Sequence, residues 1–403
     1  MTQMMEQMTL PGLEETAQGS TGRGHWPMVK LGDVAPARAS KREFLNDELV
    51  WDITLDQIES NTGKIVNKRI SKVSDAPQSS NFVDEDNVLY SKLRPYLNKV
   101  IIPNEKGFAT TELVPLFPDK KRIDKRFLLH FLMSPGFVSW ATNTVAGAKM
   151  PRLTMSEFWK HEIPLPPLPE QQRIVARLDK AQQLIDQRKE QLKLMDALVQ
   201  SLFYEMFGDP VKNEKGWEVK KFGEVGSLDR GVSKHRPRNA SELLGGPYPL
   251  IQTGDVANSG GYIKNYKSTY SEIGLKQSKL WPRGTLCITI AANIADTGIL
   301  QFDACFPDSV VGFLSPNFST VVYVRTWLNK IKSNIEEVAP AVAQKNINLA
   351  ILRDLDIPFP PLSLQQAFAD RVQQIEALKQ SMTASLRELE HNFNALMQEA
   401  FGQ

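Results

Sequence analysis

The chain has 403 residues, 41% of them apolar and 23% charged, and a formal net charge of +2 at pH 7. At about 150 residues per domain this length suggests two or three domains, and the composition is globular rather than disordered or fibrous. No apolar run nears the roughly 20 residues that span a bilayer, and the opening MTQMMEQMTL has neither part of a secretory signal; the sequence therefore predicts no membrane partner and a cytoplasmic location.

In chain order, residues 1–25 read as a flexible, Met-rich lead-in. A first globular segment, 26–162, holds strand-like runs at 87–91 and 99–103 and a helix near 125–132. At 163–168 the run IPLPPL cannot continue a helix backwards, so it ends the segment and launches a helix over 169–207. Gly208-Asp209-Pro210 stops that helix. A second globular segment fills 211–356, with strand-like runs at 284–290 and 297–302 and a helix near 321–331. The run IPFPPL then opens a last helix within 357–403.

The chain repeats itself. Ile163 to Gly208 matches Ile357 to Gly402 without a gap over 46 positions, carrying Gln171-Gln172 onto Gln365-Gln366 and Phe207-Gly208 onto Phe401-Gly402. In both copies apolar residues step by four and three, from Ile174 to Met206 and from Phe368 to Ala400, the seam of a coiled coil. Arg188 and Lys379 interrupt the two seams at different heights, either to fix register or as side chains snorkelling at the seam edge. The openings of the globular segments also repeat, Trp26 to Val34 resembling Trp217 to Val225, while the interiors are hard to align. The expected fold is α+β: two globular domains, each a twisted sheet with few helices, separated by two long antiparallel coiled-coil helices in a pseudo-two-fold repeat. The segments are 1–25, 26–162, 163–210, 211–356 and 357–403.

The basic excess lies in the globular segments, with Lys+Arg against Asp+Glu at 20 to 17 over 26–162 and 16 to 13 over 217–356. Basic clusters fall in loops: Arg38, Lys41 and Arg42; Lys92, Arg94, Tyr96 and Lys99; and Arg230, Lys234, His235, Arg236 and Arg238. Cations beside Tyr, Asn and Gln suit phosphate contacts and base-edge hydrogen bonds, although any one cluster alone is as readily a solvated loop. Cys287 and Cys305 sit in apolar runs as buried thiols, and the five histidines show no metal spacing, so no metal site is expected.

Together the opening WxxxxLGxV, the run Ser91 to Lys99, Thr110-Thr111-Glu112, the run Ala304 to Gly312, Gln344-Lys345-Asn346 and the doubled IPxPPL resemble the specificity subunit of Type I restriction-modification systems. The resemblance implies that each globular segment reads one half of a bipartite site in double-stranded DNA and that the helices set the gap. It implies docking of two methylase subunits and then two restriction subunits, with S-adenosylmethionine, ATP and Mg held by those partners and no cofactor by this chain. It adds Gln344, Lys345 and Asn346 to the candidate DNA-binding residues. Ser363-Leu364 replaces Pro169-Glu170 in the second copy, where docking is expected to be less regular. No GxxxxGK[ST] or NPPY-like loop is present, so the chain is expected to be catalytically silent. The competing readings are a coiled-coil scaffold and a two-headed DNA-binding regulator without a methylase.

Overall fold

A computed structural model describes residues 26–147, 149–291, 295–338 and 348–402. The chain forms two compact units: 1–187 with 386–403, and 188–385. Each of the two long helices is thus divided between the units.

In the first unit β1 (Met28–Lys30) runs into a short helix α1 (Leu31–Val34), and β2 (Leu49–Ile53), β3 (Arg69–Lys72), β4 (Asn81–Val83), β5 (Val88–Ser91), β6 (Val100–Ile101), β7 (Gly107–Ala109) and β8 (Leu113–Leu116) follow. Helices α2 (Lys125–Met133) and α3 (Pro135–Asn143), the pair β9 (Val145–Ala146) and β10 (Arg152–Leu153), α4 (Met155–Lys160) and β11 (Glu162–Pro164) complete it before α5 (Leu168–Phe207). The order is β3-β2-β7-β4 in one sheet and β6-β5-β8 in a second, and β1 pairs with β11. Asp124 caps α2 by accepting from the Arg126 and Phe127 amides, which fixes its start at Lys125, as expected.

The second unit holds β12 (Val219–Lys221), β13 (Ser227–Arg230), β14 (Leu244–Leu250), α6 (Thr253–Ala257), β15 (Tyr262–Ile263), β16 (Ser268–Tyr270), α7 (Glu272–Lys276) and β17 (Leu280–Trp281). It continues with β18 (Leu286–Thr289), β19 (Thr297–Leu300), β20 (Ala304–Cys305), β21 (Val310–Leu314), α8 (Phe318–Val338), α9 (Leu349–Asp354), β22 (Asp356–Pro358) and α10 (Leu362–Phe401). Its sheets run β16-β14-β20-β17 and β13-β21-β18-β19-β15, and β12 pairs with β22.

Apart from the added parallel strand β15 beside β19 and the β9–β10 pair of the first unit, these pairings repeat between the units. β2 is antiparallel to β3 and parallel to β7, which is antiparallel to β4; β14, β16, β20 and β17 repeat those three relations. β5 lies antiparallel between β6 and β8, as β18 does between β19 and β21. Met28 faces Pro164 and Val219 faces Pro358. The single bridge Ala37 to Leu116 is the reduced form of the β13–β21 edge. The interiors that resist alignment in sequence therefore share one topology.

The central strands β5 and β18 are buried along their whole length, so each reads as an apolar run without alternation. Against the first core pack Ile174, Val175 and Leu178 from the start of α5, with Met397 and Phe401 from the end of α10. In the second unit Val199, Leu202, Phe203 and Phe207 from the end of α5 meet Phe368, Ala369 and Val372 from the start of α10. In each unit the start of one helix thus meets the end of the other, the antiparallel arrangement expected from the repeated seam. Gly208 ends α5 at φ +79°, its amide bonded to the Tyr204 carbonyl at 2.9 Å, a left-handed stop that glycine takes without strain.

Candidate nucleic-acid interface

In the first unit the chain leaves β5 into the loop 92–99, whose conformation follows from two residues. Arg94 (φ +50°) and Asn98 (φ +48°) are both left-handed and bracket one turn of 3-10 helix over Pro95–Leu97. For a non-glycine residue that conformation costs about 1 kcal/mol or more and persists only where neighbours hold it. They do so here. The Arg94 amide donates to the Pro151 carbonyl at 2.8 Å, the Lys92 amide to Glu112 at 3.0 Å, and the Leu153 amide to Lys92 at 2.9 Å. Asn98 is buried and its amide group donates to the Met133 carbonyl at 3.3 Å.

Of the four candidates in this loop, Arg94 and Tyr96 are exposed and Lys92 is half-buried, and none of the three has a side-chain partner among the described residues. Lys99 differs: its ammonium donates to the Leu55 carbonyl at 2.6 Å, so it ties two loops together. In the 38–42 cluster, Arg38 lies over the Phe117 ring at 4.7 Å. Arg42 is held by Asp84 at 3.4 Å and Glu85 at 2.8 Å, and Ser40 donates to the same Asp84. Lys41 alone of the three is exposed with no side-chain contact among the described residues.

The cluster 230–238 leaves its unit at the equivalent place. Arg38 follows the Ala37–Leu116 bridge, and Arg230 ends β13 opposite Val311. Gln277 organises the turn, its side-chain oxygen accepting from the Lys234 amide at 2.7 Å and the His235 amide at 3.0 Å. Arg236 donates to the Ser233 and His235 carbonyls at 2.7 and 2.9 Å, and Arg238 pairs with Asp308 at 2.6 Å. His235 stands 3.8 Å from Glu242. Arg230 and Lys234 keep exposed side chains without an acidic partner among the described residues. Gln344, Lys345 and Asn346 lie outside the described residues.

The structure adds what the basic clusters did not signal. The antiparallel pair β9–β10 abuts the loop 92–99 through a bridge between Leu93 and Arg152. Arg152 binds Glu112 with both Nε (3.1 Å) and Nη2 (2.9 Å), which raises the guanidinium pKa through that hydrogen bond first and its charge second. A second missed basic run, Lys64 to Lys72, is exposed, but Lys64, Lys68 and Arg69 are neutralised by Asp186, Glu105 and Asp52. Among the described residues no group of three or more His, Cys, Asp or Glu could hold a metal, and no helix is long and apolar enough to cross a membrane. The cysteines are buried, and burial pushes both thiols up in pKa, against reactivity at neutral pH.

Comparison with known proteins gives these features a family. The family described as "Type I restriction modification DNA specificity domain" matches residues 24–194 and again 214–391. The chain is 25% identical over 190 residues to the Type I restriction enzyme EcoDI specificity subunit of Escherichia coli, 47% of this chain and 42% of that one. It is 22% identical over 332 residues to the EcoBI specificity subunit of the same species, covering 75% and 69%. The match thus spans less than half the length of the EcoDI subunit. A chain solved in work on complex assembly and conformational transition of the type I R-M system shares the fold, with TM-score 0.62, 21% identity and coverage of 94% and 97%. With two consecutive matches that together span most of its length, the chain belongs to the Type I restriction modification DNA specificity domain family.

Proposed function

We propose that each unit reads one half of a bipartite site in double-stranded DNA, and that α5 and α10 set the gap between the half-sites and dock the partner subunits. One observation carries this reading: the same strand pairings recur in both units, around cation-bearing loops of different sequence and conformation. A shared frame places the two readers alike, and unlike loops let them read different bases. Exposed Arg94 and Lys41 in one unit, and Arg230 and Lys234 in the other, supply the phosphate-directed charge.

In this reading the chain is non-catalytic. Two methylase subunits transfer the methyl group of S-adenosylmethionine to adenine N6, and two restriction subunits use ATP and Mg, all in the cytoplasm. The test is to sequence modified adenines in DNA exposed to this chain with its methylase partner. A bipartite motif with a fixed gap is expected. Methylation without sequence preference, or binding to random and selected duplexes alike at a stated salt concentration, would instead mark a scaffold.

A further inference from the structure

The ungapped repeat runs further back than the proline clusters. Helix α4 (Met155–Lys160) and strand β11 (Glu162–Pro164) recur as α9 (Leu349–Asp354) and β22 (Asp356–Pro358), each 194 positions on. In that register Phe158 falls on Leu352, and both are buried. A Cβ added to Gly32 would meet Trp159 at 3.2 Å, and one added to Gly223 would meet Arg353 at the same distance; Trp159 and Arg353 are again in register. The residues before the two helices, Thr154 and Asn348, match as well. Four more steps back lay Met150, Pro151 and Arg152 on Gln344, Lys345 and Asn346.

In sequence register, the β9–β10 hairpin of the first unit therefore corresponds to the segment that carries Gln344-Lys345-Asn346. We propose that this hairpin and the loop 92–98 form one DNA-contacting platform, in which Lys149 contacts DNA and the Arg152–Glu112 pair is a positioning clamp. The inference rests on the family reading above and assigns residues that reading does not. Lys149, Lys92 and Arg94 have no acidic partner among the described residues, so their charge is available to phosphates. Met150 and Tyr96 are 47% and 48% exposed beside them, apolar surface of the kind that meets bases. Arg152 uses its guanidinium fork on Glu112, whose carbonyl also accepts from the Lys92 amide. That geometry fixes the loop, and a lysine cannot reproduce it.

The experiment uses the full chain with its methylase partner and two duplexes: one carrying the site found by sequencing modified adenines, one with the first unit's half-site scrambled. Lys149→Ala, an exposed change that leaves folding intact, should weaken binding to both duplexes. It should also lower the slope of log K against log salt by about one. Arg152→Lys keeps the charge and so the slope, yet should cut the preference for the intact site about tenfold. Glu112→Gln should act in the same direction. Lys149→Ala with the parent's affinity and slope, or Arg152→Lys with undiminished preference, overturns the platform while leaving the family reading standing. A parent complex that does not distinguish the two duplexes overturns both.

Discussion

His161 illustrates how a single side chain couples the first core to pH. Its ring lies 3.9 Å from Trp140 and 5.1 Å from Phe137, centroid to centroid, and burial pushes its pKa down from 6.5 to about 4. The folded protein thus refuses a proton that the unfolded chain accepts. Stability is complete above pH 6.5 and falls as pH drops from 6.5 towards 4. His161→Phe should gain on the parent across that window in urea unfolding; a constant difference between the two would show that His161 is not the titrating group. Lys379 answers the question the seam posed. Burial alone would depress its pKa, but the Asp196 carboxylate at 2.6 Å and Glu376 at 3.3 Å outweigh that and raise it. Lys379 therefore bridges α10 to α5, whereas among the described residues Arg188 reaches only Gln191 on its own helix. The first copy has Ile185 and Gln182 at the positions of Lys379 and Glu376. Lys379→Ile should cost about 1–3 kcal/mol, because Glu376 is left buried without its counter-charge. Adding Glu376→Gln should recover most of that loss; if the double variant is no more stable than the single, the buried charge was not the cause. If each unit reads one half-site as proposed, Arg230→Ala with Lys234→Ala should weaken binding through one half-site only. Equal loss at both half-sites would contradict that assignment.

At the scale of elements, the doubled IPxPPLxxQQ run is a structural joint. Gln171 and Gln365 are completely buried, and their amide groups donate to the Pro166 and Pro360 carbonyls at 2.7 and 2.8 Å. Each glutamine thereby fastens the start of its long helix to the proline run before it. The other ends are fastened by aromatic plugs. Phe401 sits 5.2 Å from Phe127 and 5.8 Å from Phe131, and Phe207 sits 5.2 Å from Phe368. Phe401→Ala empties a well-packed site and should cost about 3–5 kcal/mol, read as faster hydrogen exchange in α2. Unchanged exchange there would mean that the end of α10 adds nothing to the first core. Such long helices were readable because their signals are local: period, proline start and glycine stop all lie in adjacent residues. Strand pairings were not, since β2 meets β7 across more than fifty residues and each strand has only three to five. For the same reason the basic clusters were visible in sequence, but not which of their cations were already spent. Arg42, Lys99 and Arg238 look like Arg94 and Lys41 until Asp84, Leu55 and Asp308 are brought against them. Lys149 and Arg152 beside β9 and β10 form no cluster, so nothing in the sequence marks that pair.

At the scale of the molecule, duplication has been put to an economical use. Each unit borrows the start of one long helix and the end of the other, so neither core is complete without both copies of the repeat. A change in the length of one helix alone would shift its seam against that of the other. This makes the spacing hypothesis testable by a paired insertion. Asp196 and Lys379 mark one level of the seam, so four residues inserted after Leu192 and four after Thr383 lengthen both helices at matching heights. Four residues keep the seam close to phase, because its steps are four and three. They add about 6 Å at 1.5 Å per residue, or roughly two base pairs at 3.4 Å each. If α5 and α10 set the gap, sequencing of modified adenines should return the parent's two half-sites with about two more base pairs between them. Insertion in α5 alone leaves its seam facing an unlengthened partner and should destabilise the protein without yielding a new gap. The parent's gap retained by a stably folded double insertion would mean that something other than these helices measures the distance.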